Sequence, residues 1–273
     1  MDNINEAILE LEGLDEYRNK KWDVYQFNEL GVPRVSHILA ACRNSEHLIK
    51  WAASVGYKKY NDIREKALEV GSITHEKIDN YLIHLLVDHS KDPDLFHPNQ
   101  SYIPDKWNME IDTAYENFKL WLSKIDAKGY PIQKLIGLEI PVTCPYYGGT
   151  IDAIVQINNA IYIVDFKTSK QISPEYIMQT ASYMNIINSG YAKDLPHING
   201  IGIIRVDKSK YNSHEDLFLN EFIPEENNMI RRYQECFNSY VEAFYRTCNT
   251  NYLYDEYTKK YSLDYVLRSN CNE

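Results

Sequence analysis

The chain has no apolar run of about 18 residues, the length a membrane-spanning helix needs, so neither a span nor a membrane partner is expected. Its N-terminal stretch is acidic and lacks both the apolar segment of a secretory signal and the arginines of a transit peptide, which points to a cytoplasmic protein. Cysteine is scarce. Cys42, Cys144, Cys236, Cys248 and Cys271 are odd in number, widely spaced and free of any CxxC, so a disulfide framework is not expected and a reducing compartment is. Repeats, low-complexity tracts and a linker to another domain are also absent. Net positive charge is lacking too: a formal charge of −10 argues at first against nucleic acid, because non-specific phosphate binders are usually basic.

That sum hides a local asymmetry. Residues 31–77 carry eight Lys and Arg against five acids, whereas residues 1–30 carry three against eight. The remaining composition is that of a globular chain, with 273 residues, 44% hydrophobic and 25% charged, and with tyrosine unusually common at 23 residues. This length buries a real core. We expect an α/β fold, a central mixed sheet flanked by helices, formed as one integrated domain. A helical region over 1–130 carries His75, and a core over 131–273 ends in a C-terminal helix.

The most informative stretch runs from Gly148 to Thr168. Ile, Val and Tyr dominate two arms suited to strands, and Asn158-Asn159 between them tolerates the positive φ of a tight turn. A two-residue loop pairs 157 with 160 and 155 with 162, and so brings Asp152 opposite Asp165. Opposed residues have Cβ atoms roughly 4.5–5.5 Å apart, where like charges repel unless a cation intervenes. Lys167 follows Asp165 by two and shares its face. The patch is therefore either a buried Asp–Lys–Asp ion triad or a site holding a divalent metal, and charges inside apolar strands favour the site.

Asp152 followed by Asp165-Phe166-Lys167 resembles the signature of the PD-(D/E)XK nuclease superfamily. Gln179-Thr180-Ala181-Ser182-Tyr183 resembles the QxxxY motif of its RecB-type exonuclease branch, and Gly71-Ser72-Ile73-Thr74-His75 that branch's helix-borne histidine. Val32-Pro33-Arg34-Val35-Ser36, leading to Trp51, resembles the entry of the mitochondrial genome maintenance exonucleases and their phage relatives. The resemblance implies a restriction-endonuclease-like core. It implies Mg²⁺ or Mn²⁺ held by His75, Asp152, Asp165 and the backbone carbonyl of Phe166, with Lys167, Gln179 and Tyr183 completing the catalytic set. Arg34 and Ser36 sit where a DNA phosphate contact would fall, or else merely cap a helix. The implied activity is a deoxyribonuclease acting on DNA ends, single-stranded by preference, in repair or recombination. The partner is DNA, with any replication or recombination protein unidentified. Some RecB-type exonucleases clamp an iron–sulfur cluster, but gaps of 12 and 23 residues between the late cysteines do not match, so none is expected. Richness in Asn, Lys and Tyr suggests a phage origin and thus the host cytoplasm.

In chain order, Ile8 to Leu14 suits a short amphipathic helix, and Ser36 an N-cap. A helix over about 60–87 presents Ile63, Ala67, Val70, Ile78, Leu82 and Leu85 as its apolar face, with His75 and Asp79 on one side. Gly71 is expected to permit a close approach to the sheet. Asp79 stands where the family has Glu, and where a zinc protease would need its second His, which excludes that reading. Residues 88–106 read as loop and 107–127 as helix. A strand over 134–143 carries Glu139, which either adds a metal contact or pairs with a basic neighbour. Ser173-Pro174 starts a helix, 200–206 is a buried strand and 217–223 an edge strand. A final helix covers about 224–248 with Met229, Tyr233, Phe237, Tyr240 and Phe244 inward, and a tyrosine-rich tail follows.

Overall fold

The computed structural model describes residues 25–27, 30–42, 46–90, 105–209 and 223–248. The chain is a mixed α/β fold: one five-stranded mixed sheet with helices packed on both faces. Strands β3 (Ile132–Thr143), β4 (Gly148–Ile157), β5 (Ala160–Lys167), β6 (Gly200–Arg205) and β7 (Ile223–Pro224) lie side by side in that order. All neighbours run antiparallel except β5 and β6. A parallel pair needs a crossover, and the helix Pro174–Asn188 supplies it. β6 is buried at every position, as its unbroken apolar run requires between two helical layers.

The helices are α1 (Val35–Cys42), α2 (Glu46–Val55), α3 (Tyr57–Leu86), α4 (Asp105–Ala127), α5 (Pro174–Asn188) and α6 (Asn228–Cys248). On one sheet face, α1, α5 and α6 bury Ile38, Met184 and Phe237 against Ile154, Ile163 and Ile201. On the other, α3 and α4 bury Ile78, Leu82, Phe118 and Trp121 against Val155, Val164 and Phe166. The N-terminal helices thus serve both layers.

Several boundaries fall close to expectation, and some side chains do not. In α3 the buried residues are Val70, Ile73, Thr74, Ile78 and Leu82, while Ile63 and Leu85 are 40% exposed and Ala67 is exposed. Helical spacing alone does not say where along thirty residues the partner layer begins. Only the C-terminal half of α3 lies over the sheet. Ser36 lies inside the first turn of α1; the cap position belongs to Arg34, whose carbonyl accepts from the N–H groups of His37 and Ile38. A small hairpin, β1 (Tyr25–Phe27) with β2 (Leu30–Val32), precedes it and was not anticipated. In α6, Phe237 and Phe244 are buried and Met229, Tyr233 and Tyr240 half-buried. The expected helix near residues 8–14, residues 217–222 of the edge strand and the tyrosine-rich tail lie outside the described residues. Among those described, no helix is long and apolar enough to cross a membrane.

Candidate metal centre

The hairpin forms on its expected register. Asn158 and Asn159 take φ of 47° and 66°, and pairing runs from Ile157 with Ala160 to Ala153 with Val164. It stops one pair short of the expected opposition of Asp152 and Asp165. Instead, the Phe166 N–H donates to Asp152 Oδ2 at 2.8 Å, so a carboxylate replaces a backbone partner where the strands part.

The other flank of β4 is interrupted at the same residue. Leu138 pairs with Ala153 and Ile140 with Ile151, but Glu139 and Asp152 do not pair, and Glu139 adopts a φ of 48°. For a non-glycine residue this left-handed conformation costs roughly 1–2 kcal/mol. It also switches the alternation of the strands. Leu138 and Ala153 face the α3 and α4 layer, whereas Ile140 and Ile151, each two residues away, face the opposite layer.

His75 arrives from α3 at this break. Its Nδ1 lies 3.6 Å from Asp152 Oδ2, and its ring stands edge-on to Phe166 with centroids 6.1 Å apart. One ligand atom each from His75, Glu139 and Asp152 falls within 4.8 Å of the others. Burial, helped by the nearby Lys167 ammonium, holds His75 below its ordinary value, so its approach to Asp152 is that of a neutral imidazole. Burial raises the Asp152 and Glu139 carboxyls. Asp79, one turn beyond His75, is pushed up to about 8 by burial and then by repulsion from Glu139, Asp152 and Glu76. Carboxyls crowd here beyond what the neighbouring cation offsets.

That cation is Lys167. Its Nζ donates to Asp165 Oδ1 at 2.8 Å and lies 2.7 Å from Oδ2, but only the first contact has hydrogen-bond alignment, which leaves Oδ2 buried without a hydrogen bond. Burial pushes Asp165 up to about 6 against the pull of Lys167. Burial alone would lower Lys167, yet Asp165 and Asp152 outweigh it and hold the ammonium above its ordinary value. The ring of Tyr176 lies 4.9 Å beneath the ammonium, a contact not anticipated.

Helix α5 starts as its sequence dictates, with Ser173 Oγ accepting from the Glu175 N–H and Pro174 in the first turn. Gln179 and Tyr183 share a face, and Gln179 Nε2 donates to Tyr183 Oη at 3.1 Å. A Cβ on Gly149 would meet the Tyr183 ring at 2.3 Å, so this glycine makes room for the phenol. A glycine inside a strand is the signal that announces such an approach. Gly71 is not its counterpart: a Cβ there would sit 3.5 Å from Thr168 Oγ1, an ordinary contact, so the expected close approach is not made. Beyond Gly149, Thr150 Oγ1 and Tyr25 Oη are 2.5 Å apart, and the Arg34 guanidinium lies 5.4 Å from the Tyr25 ring centroid. Arg34 also bridges to Gly148, so it borders the Tyr183 side of the site, while Ser36 is exposed on α1.

Two carboxylates and an imidazole form a donor set that suits a small divalent cation, hard enough for oxygen yet tolerant of nitrogen. The buried Asp165 Oδ2 adds an acceptor beside it. Glu139 thus joins the centre as an acid rather than pairing with a base, and Asp165 is engaged chiefly by Lys167. A scan against protein-family models finds no match, and no curated protein matches the chain.

Proposed function

We propose that this protein is a metal-dependent deoxyribonuclease of the PD-(D/E)XK type, hydrolysing phosphodiesters at DNA ends on a restriction-endonuclease-like core. The observation that carries the reading is the convergence of His75 from α3, Glu139 from β3, Asp152 from β4 and the Asp165–Lys167 pair from β5 where Glu139 and Asp152 leave the ladder. A merely structural ion triad would not recruit a histidine and a strained glutamate as well.

His75, Asp152 and Glu139 are the residues to hold Mg²⁺ or Mn²⁺, with Asp165 and the Phe166 carbonyl adjacent; the imidazole tilts the choice toward Mn²⁺. When bound, the ion supplies Lewis acidity to a phosphoryl oxygen and lowers the pKa of a coordinated water. The protein's own groups do the rest. Lys167, held protonated between Asp165 and the Tyr176 ring, places a positive charge where negative charge develops on the phosphate. Asp165 orients that ammonium, and Tyr183 fixes the Gln179 amide, which is left to orient the lysine or a phosphate.

Matched linear and circular single-stranded DNA, incubated with Mn²⁺ beside the Asp165→Ala and Lys167→Ala proteins, tests the proposal. Degradation of the linear form only, lost in both variants, is the expected result. Cutting of the circle as well makes the enzyme an endonuclease or flap nuclease. Binding without cleavage of either form leaves a catalytically silent DNA-binding protein and removes the enzymatic reading.

A further inference from the structure

Helix α3 extends well past the sheet on its N-terminal side, and the face it shows there is the His75 face. Eighteen residues make five turns of α-helix, so Tyr57 stands in line with His75, and Arg64 and Leu68 fall within about 20° of the same line. Followed toward the C-terminus, that line reaches Leu82, buried under the sheet. Followed toward the N-terminus it emerges: Leu68 is 62% exposed, Tyr57 79%, and Arg64 is exposed. A helix polar on its free side would place charges of both signs there. Instead, from Tyr57 to Ser72, the strip within about 60° of the line holds two tyrosines, one arginine, Asn61, Leu68, Gly71 and Ser72, and no acid.

The start of the strip is flanked by the same chemistry. Trp51 of α2, 41% exposed, meets Tyr60 edge-on with ring centroids 5.8 Å apart. Lys58 is exposed beside Tyr57, and no acid occurs from His47 to Asn61. Exposed aromatic rings interleaved with cations, on a chain whose net charge is −10, suit a single nucleic-acid strand, whose bases stack on rings and whose phosphates need positive partners. At 1.5 Å per residue the strip from Tyr57 to His75 is about 27 Å long. Short single-stranded sites begin at about 4 nucleotides, a span of this order.

We propose that the exposed N-terminal face of α3, from Tyr57 through Arg64 and Leu68, is a track that leads one nucleic-acid strand to the His75 site. The inference rests on the nuclease reading and its preference for a single strand, to which it adds the path of approach. A duplex could not lay its bases on Tyr57.

The test uses the full chain with Tyr57→Ala, Tyr57→Phe, Arg64→Ala and wild type. Fluorescein-labelled (dT)₂₀ is titrated in EDTA, where cleavage is silent, and then hydrolysed with Mn²⁺. Both sites of substitution are exposed surface, and unchanged far-ultraviolet circular dichroism and thermal midpoints verify folding. Tyr57→Ala should weaken (dT)₂₀ binding about fivefold to a hundredfold, with Tyr57→Phe close to wild type because the ring remains. Arg64→Ala should flatten the salt dependence of log affinity by about 0.7, the loss of one phosphate contact on a single strand. With Mn²⁺ both alanine variants should raise KM and keep kcat. Unchanged affinity and unchanged salt dependence would overturn the track, and so would a loss confined to kcat, which would mark the residues as support for the site. A wild type that binds (dT)₂₀ but cleaves no DNA defeats the nuclease reading, and the binding comparison then still decides the track.

Discussion

Stripping divalent metal at mildly alkaline pH should reveal what the carboxyl crowding around Asp152 does to the fold. The Asp79 carboxyl has a value of 3.8 when solvated and about 8 in the folded chain, chiefly from burial. The folded state therefore holds this proton more tightly than the unfolded state. Its contribution is fully present below the unfolded value and is lost as pH rises through the folded one. At about 1.4 kcal/mol for each tenfold in proton affinity, the ceiling over that whole span is about 6 kcal/mol. Asp165, raised to about 6, and Glu139 and Asp152, also raised, act in the same direction. His75 acts oppositely. Its value is held below 6.5, so stability rises with pH until about 6.5 and is flat above it. Lys167, held above 10.5, changes nothing in this range. The interval from about pH 6.5 to 8 thus carries the carboxyl effect unopposed, and one proton released there lowers stability by about 2 kcal/mol. Urea unfolding in EDTA at both ends of the interval measures this difference, and Asp79→Asn should abolish most of it. Mn²⁺ at a hundred times its Kd should add about 2.7 kcal/mol, with its apparent affinity higher at pH 8 because it competes with the same protons. An EDTA profile flat from pH 6.5 to 8, or one unchanged by Asp79→Asn, would refute the reasoning.

Two glycines give opposite expectations. Gly149→Ala drives a methyl to 2.3 Å from the buried Tyr183 ring and should cost about 1–3 kcal/mol, seen as a lower urea midpoint with activity reduced through the displaced Gln179–Tyr183 pair. Gly71→Ala, with 3.5 Å of clearance in mid-helix, should be neutral or stabilise by up to about 1 kcal/mol. Glu139→Gly relieves a φ of 48° and removes one of the crowded acids, so the metal-free protein should gain about 1–2 kcal/mol at pH 8 while Mn²⁺ affinity, by calorimetry, falls.

What could be read in the sequence was local. Asn158-Asn159 fixed the hairpin because a two-residue turn with positive φ leaves one register, and Ser173-Pro174 fixed the start of α5 because cap chemistry is confined to adjacent residues. The site residues Asp152, Asp165 and Lys167 were conspicuous as charges inside apolar strands. The opposition of Asp152 and Asp165 failed because it assumed an uninterrupted ladder, whereas Asp152 pairs with neither neighbour and faces, in β3, a left-handed Glu139 whose backbone no local pattern reveals. The apolar face of α3 was misjudged at Ile63, Ala67 and Leu85 for a related reason: periodicity gives the face of a helix but not which of its turns are covered. Gly149 and Tyr176 went unrecognised because each acts through a residue distant in sequence, Tyr183 for one and Lys167 for the other.

The position of the interruption bears on function more than any single residue does. A left-handed glutamate, a strand residue with no ladder pair on either side, and a buried carboxyl held near 8 are each unfavourable, and each has a cheaper alternative within the same fold. Glycine would accept the φ at 139, an apolar residue at 152 would leave no carboxylate to bury, and an amide at 79 would remove the repulsion. Scattered through the sheet, such features would be accidents of packing. Gathered within reach of one imidazole, they share a remedy under the proposed function, since a divalent cation would turn the repulsion into attraction. On that proposal the metal-free fold is expected to be the strained one.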